Sequence, residues 1–231
     1  MGNKVVFSGH QPNFLPYMGF IYKMFQSDVF VLDDDVQYST KAFQNSNFIK
    51  VNGLKKRITV PIRYNFGDAI NQVRICYERN WDYKLLKTLE MSYKRAAHFD
   101  EVFLMVEDAL AEKYEFHSEL SIYLLQKIKE CLSLQCRLVI ASRDVPTTLK
   151  NQQRNVFQCL ALGGDTYYSG TGGKAYNDEM DYRRHGIRLM YSDYLPVQYR
   201  QIGKTFIPNL SVLDYLFNEG FVIPHEWVRQ V

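Results

Sequence analysis

The sequence predicts an α/β fold: a mostly parallel, doubly wound sheet with a small antiparallel hairpin insertion and a helical lobe. Three observations carry this. The opening stretch reads strand, polar loop, helix, strand; strand and helix patterns alternate again from Arg137 onward; and between them lie a hairpin signal and long apolar stripes at helical spacing.

Taken in order, Val5, Val6 and Phe7 form a short β-rich run, and Gly9-His10-Gln11-Pro12-Asn13 a stiff polar loop. Tyr17, Phe20, Ile21 and Met24 have helical spacing, and Val29 to Leu32 return to strand composition before Asp33-Asp34-Asp35. This is one βαβ unit, whose polar strand ends face the side of a parallel sheet where ligands bind. Pro12 removes a backbone donor and holds Gln11 extended, which presents His10 and Asn13 toward one small ligand. Only Gly9 and Gly19 are available, so the loop is not a dinucleotide fingerprint. The competing reading of His10 is a turn-packing imidazole. The three aspartates are hard oxygen donors, but neighbours on a strand point to opposite faces, so no metal site is assigned.

Regular alternation then stops. Asn47 to Val51 and Arg57 to Ile62 read as hairpin arms around Asn52-Gly53, with Lys55, Lys56 and Arg57 near the tip and Gln72 to Cys76 as a third short strand. Pro61 marks a strand end or an edge. Trp81, Leu85, Leu89 and Tyr93 form one helical stripe, and residues 109–134 a second, containing Leu120, Leu124 and Ile128. His98 and His117 stand apart from any ligand pattern and are read as structural or surface residues.

Arg137 to Ala141 reads as a buried strand, followed by a helix over Thr148 to Leu162, a strand at Thr166 to Tyr168 and another at Ile187 to Tyr191. With the first two, that makes five parallel strands joined by right-handed crossovers. Ser169-Gly170-Thr171-Gly172-Gly173-Lys174 follows one of them. It lacks the Walker spacing, because Ala175 follows Lys174, yet offers backbone donors and a cation for a phosphate or carboxylate. A packing turn is the alternative. A last helix carries Leu213, Leu216 and Phe217 and ends at Gly220; Asp214 faces either a pocket or the surface.

Composition bounds the function. A net charge of +3 permits acidic metabolites but not the basic stripe of a nucleic-acid binder, so no nucleic-acid partner is expected. Four cysteines without CxxC spacing read as reduced core thiols of a cytoplasmic protein. No leader is evident, and no run approaches the roughly 18 apolar residues of a membrane span. Seventeen Tyr and 15 Phe are compatible with tyrosine-lined pockets or with a homo-oligomer interface; counting does not choose between them.

HQPNFLPYMGFIYK and SDVFVLDDDVQYS, followed by GLKKRITVPI, YYSGTGGKAY and FIPNLSVLDYLFNEG, resemble the WbqC-like family, which is encoded among bacterial surface-polysaccharide genes. The resemblance spans nearly the whole chain and implies one domain over residues 1–231. It implies functional positions at His10, Gln11, Asn13, Asp34, Gln37, Ser169, Gly170, Gly173 and Tyr176, to which Asn47 and Lys174 are added as substrate-binding candidates. Many members carry arginines around the segment that reads FQNSNFIK here, where Ser46 and Phe48 stand instead. With His10, Asn13 and Asp34 as the catalytic set, the expected function is modification of a nucleotide-linked sugar or surface-polysaccharide precursor by acyl or aminoacyl transfer. His10 is the general base on the condition that it titrates near neutrality. A nucleotide-sugar binding or assembly protein is the alternative, and no cofactor is specified. The opening also resembles nucleotidylyltransferases and pantothenate synthetases in architecture alone, since their paired-histidine signature is missing.

Overall fold

The computed structural model describes residues 4–40 and 42–230. The strands are β1 (Val6–His10), β2 (Val29–Leu32), β3 (Ser46–Val51), β4 (Leu54–Thr59), β5 (Ile62–Arg63), β6 (Arg74–Ile75), β7 (Arg137–Ile140), β8 (Thr166–Ser169) and β9 (Arg188–Tyr191). The helices are α1 (Met18–Gln26), α2 (Trp81–Tyr93), α3 (Phe99–Ala111), α4 (His117–Cys131), α5 (Ala141–Asp144), α6 (Asn151–Ala161), α7 (Glu179–Arg184) and α8 (Val212–Glu219).

All five expected strands form one parallel sheet in the order β7-β2-β1-β8-β9. Alternation along each strand sends its side chains to two different cores. Phe30 and Leu32 pack with Phe20, Ile21 and Met24 of α1 and with the lobe formed by α2, α3, α4 and α8. Phe7, Val29, Val31 and Val139 pack on the opposite face with Val156 and Cys159 of α6 and Tyr182 of α7. Both faces are covered, as a buried parallel sheet requires.

The hairpin lies where expected, with Asn52 (φ 50°) and Gly53 (φ 78°) taking the left-handed conformations of its two-residue turn. Its second arm is shifted toward the turn: β4 runs Leu54–Thr59, not Arg57 to Ile62. Val60 N–H donates to Asn45 O, after which Pro61 has no N–H to continue the ladder. Ile62 and Arg63 instead pair with β6, so the run over residues 72–76 belongs to a separate two-stranded sheet rather than completing the first. The predicted stripe over residues 109–134 is also divided: α3 ends at Ala111, Lys113 turns left-handed (φ 50°), and α4 starts at His117. His117 is buried against Ser121, and His98 pairs with Glu101 at the surface. Among the described residues no helix is long and apolar enough to cross a membrane.

Candidate functional site

In chain order the five parallel strands run 3-2-1-4-5, so the direction of winding reverses between β1 and β8. The crevice beyond the carboxyl ends of such a pair is where open α/β sheets bind ligands. The register Phe7 opposite Tyr167 brings Gly9-His10 and Ser169-Gly170 out side by side at this point. The two loops singled out in the sequence therefore flank one switch point.

His10 ends β1 half-buried, with its ring edge-on to Phe20 of α1 at 4.7 Å. Its Nδ1 lies 2.9 Å from Gln11 O, which can only accept, so Nδ1 carries the proton and Nε2 is left as an acceptor. Burial, then the nearby Lys23 charge, lower its pKa to about 4. The condition set for a general base, titration near neutrality, is not met in the free protein. Lys23 is the closer match. It is 5% exposed, donates to Gly9 O at 2.8 Å, and burial lowers its pKa to about 8. Among the described residues that carbonyl is the one hydrogen-bond acceptor of an ammonium with three donors.

The aspartates divide as strand alternation requires. Asp34 is buried and fully engaged: its carboxylate accepts from Ser142 N at 2.9 Å and Ser142 Oγ at 2.6 Å, tying the end of β2 to that of β7. Asp33 accepts from Arg154 Nε and Gln158 Nε2, each at 2.9 Å, and Asp35 pairs with the same guanidinium. Burial raises the Asp33 pKa, while Arg154 and Gln158 hold its charge. A cation from α6 thus occupies the position between two carboxylates. Among the described residues no group of three or more His, Cys, Asp or Glu side chains is disposed to hold a metal. Beside Arg154 opens a cleft of about 630 Å³ lined by Asp35, Gln37, Gly67, Thr147, Lys150 and Asn151, which gives Gln37 a place at the site.

The remaining candidates separate into supports and free groups. Gln11 Oε1 accepts from Gln44 Nε2 at 2.6 Å, and Phe14 N–H donates to Gln44 O. Asn47 is a brace: its Nδ2 donates to Leu15 O and its Oδ1 accepts from Phe48 N, fixing the first loop to the hairpin. Asn13 is buried with its Oδ1 unpaired among the described residues. Ser169 Oγ donates to Gly170 O and accepts from Asn177 Nδ2 at 3.1 Å. A Cβ on Gly173 would sit 2.1 Å from Ser169 Oγ, so packing demands that glycine. At Gly170 and Gly172 a Cβ would meet nothing within 4 Å, so no neighbouring atom demands the missing side chain. Lys174 is exposed with Nζ 5.5 Å from the Tyr191 ring centroid, and Tyr176 is exposed.

A match to the WbqC-like protein family spans residues 11–223, taking in the first loop from Gln11 onward, the hairpin and the glycine turn. The chain belongs to that family. This WbqC-like protein is also similar to the Mycobacterium tuberculosis (strain ATCC 25618 / H37Rv) protein named "Uncharacterized protein Rv1507c", at 32% identity over 222 residues, covering 93% of this chain and 94% of the relative. The site of this WbqC-like chain therefore combines a neutral imidazole acceptor, a buried ammonium and an open glycine turn. Lys23 and Arg154 were missed in the sequence. The signal for Lys23 was its position three residues after Phe20, on the apolar stripe of α1; Arg154 had no such signal, since Val156 two positions on points to another face and only the polar Gln158, one turn on, shares its side.

Proposed function

We propose that the crevice between β1 and β8 binds the phosphate-bearing part of a nucleotide-linked sugar, and that the protein modifies this surface-polysaccharide precursor by acyl or aminoacyl transfer. The observation that carries the reading is Lys23, a buried ammonium with one protein acceptor at the switch point. A buried cation is costly even with the Asp33 carboxylate near enough to favour its charge, and a bound anion offsets more of that cost. The same anion opposes the Lys23 field and raises the His10 pKa from about 4, so that the imidazole becomes a base when substrate is present. In the transfer, a sugar amine attacks the acyl carbonyl. His10 Nε2 takes the N–H proton as the new C–N bond forms and returns it to the leaving group as the old bond breaks. Lys23 neutralises phosphate, while Asn13 and the Ser169-Gly170 turn orient the acceptor.

Mass spectrometry of nucleotide sugars incubated with acyl donors tests the chemistry, and titration of the His10 C2 proton by NMR tests its premise. The imidazole should titrate near pH 4 alone and at least one unit higher with a nucleotide sugar bound; His10→Gln should lower the single-turnover rate more than binding. The low free-state value of His10 favours a second reading, a nucleotide-sugar binding protein without conversion. Saturable binding with no product across all donors, and a His10 pKa unmoved by ligand, would select it.

A further inference from the structure

A second concavity of about 360 Å³, within the ~300–1,000 Å³ span of ligand sites, lies beyond the end of β9. Its lining includes Tyr22 of α1, Asp193, Tyr194 and Gln198 of the loop after β9, and Glu226 and Trp227 of the segment after α8. The rings form a continuous surface: Tyr22 lies 5.1 Å from Trp227 and 5.7 Å from Tyr194, centroid to centroid. Tyr194 and Trp227 are half-buried, whereas Asp193, Gln198 and Glu226 are exposed. Tyr22 OH donates to Asp193 Oδ1 at 3.0 Å, fixing that carboxylate against the aromatic wall. The segment bearing Trp227 is itself held on α1, since Gln26 Nε2 donates to Val228 O at 2.7 Å and Arg229 pairs with Asp28.

We propose that this concavity is a carbohydrate subsite for an amino or neutral pyranose. A pyranose has an apolar face of C–H groups, which rigid aromatic rings cover at little entropic cost, and a rim of hydroxyls from which the Asp193 and Glu226 carboxylates accept and to which the Gln198 amide can donate. Two carboxylates and no cation in the lining set the selectivity. They attract an ammonium-bearing sugar and repel a uronate. The loop that carries the subsite also starts beside the crevice. Ser192 N–H donates to Ser169 O at the glycine turn, and Tyr194 stands between Tyr22 and Tyr17, the residue leading from the first loop into α1. A ligand whose phosphates lie at the switch point would direct its sugar here. That adjacency extends the reading of a nucleotide-sugar site, but the subsite rests on its own residues.

The test uses free methyl glycosides, so that no nucleotide is needed. Saturation-transfer NMR on the full chain should give binding of methyl glucosaminide, weaker binding of methyl glucoside, and at least tenfold weaker binding of methyl glucuronide. Trp227→Ala should abolish the glucosaminide signal, Trp227→Phe should retain part of it, and Asp193→Asn should remove the advantage of the amino sugar over the neutral one. Circular dichroism of each variant separates a lost site from a lost fold. Glycosides that bind with no nucleotide binding would uphold this subsite and sink the crevice reading. Nucleotide binding without any glycoside signal, a signal unchanged in Trp227→Ala, or a preference for the glucuronide would overturn the subsite.

Discussion

Replacing Lys23 by methionine should make the protein more stable and less able to bind. Burial depresses the Lys23 pKa from 10.5 to about 8, and at about 1.4 kcal/mol per unit this is a charging cost of about 3 kcal/mol at neutral pH. The bond to the Gly9 carbonyl returns about 1–2 kcal/mol, so Lys23→Met should gain about 1–2 kcal/mol in urea unfolding at pH 7. The sign with pH follows from linkage. The folded-state pKa lies below the unfolded one, so the unfolded chain holds more protons between about pH 8 and 10.5, and the wild type recovers stability as pH rises through that window. The advantage of the variant should therefore shrink between pH 8 and 10. Binding should move the other way. Loss of a charge-assisted contact worth about 1.5–3 kcal/mol corresponds to a roughly ten- to hundredfold weaker affinity for a uridine-diphosphate sugar by calorimetry at pH 7. A variant that is destabilised at pH 7, or one that binds as the wild type does, would refute the assignment of Lys23 as a cation held for an anionic ligand.

Arg154→Met should cost about 3–5 kcal/mol in urea unfolding, because it leaves Asp33 buried beside Asp35 without their shared cation. Since the raised Asp33 pKa lets the carboxylate protonate, this deficit should diminish from pH 7 to pH 5; an unchanged deficit would point to packing instead. The glycine turn offers a paired comparison. Gly173→Ala should lower stability by about 1–3 kcal/mol through its collision with Ser169 Oγ, whereas Gly170→Ala should unfold at the wild-type temperature while binding nucleotide sugars less tightly. Thermal scans with calorimetry on both variants check this, and normal binding by Gly170→Ala would leave the turn without a ligand role.

The sheet was legible because each strand is a short apolar run cut off by glycine or a polar cluster, which is a local signal. The switch point was half legible: both loops were found, but that β8 is the neighbour of β1 is a pairing between residues far apart in sequence. Asp214 shows the limit well. Sequence left it between pocket and surface, and it is buried on α8, accepting from Tyr93 and Tyr199 hydroxyls at 2.7 Å each, which no spacing along one helix encodes. Lys23 and Arg154 were hidden for a related reason, since a cation on a helix reads as an exposed residue until the partner that buries it is known. The third hairpin strand failed because a register set by Pro61 was read as a continuous arm.

The pairing of β1 with β8 also has a bearing on when the protein becomes competent. Ser8 Oγ donates to Tyr168 O across a sequence separation of 160 residues, while β1 and β2 can associate early through one short crossover. Contacts that close so long a loop are slow to form. A chain caught before that step would lack one wall of the crevice. Ligand affinity would then return on refolding later than helical signal does, making the site a reporter of a long-range closure rather than of chain compaction.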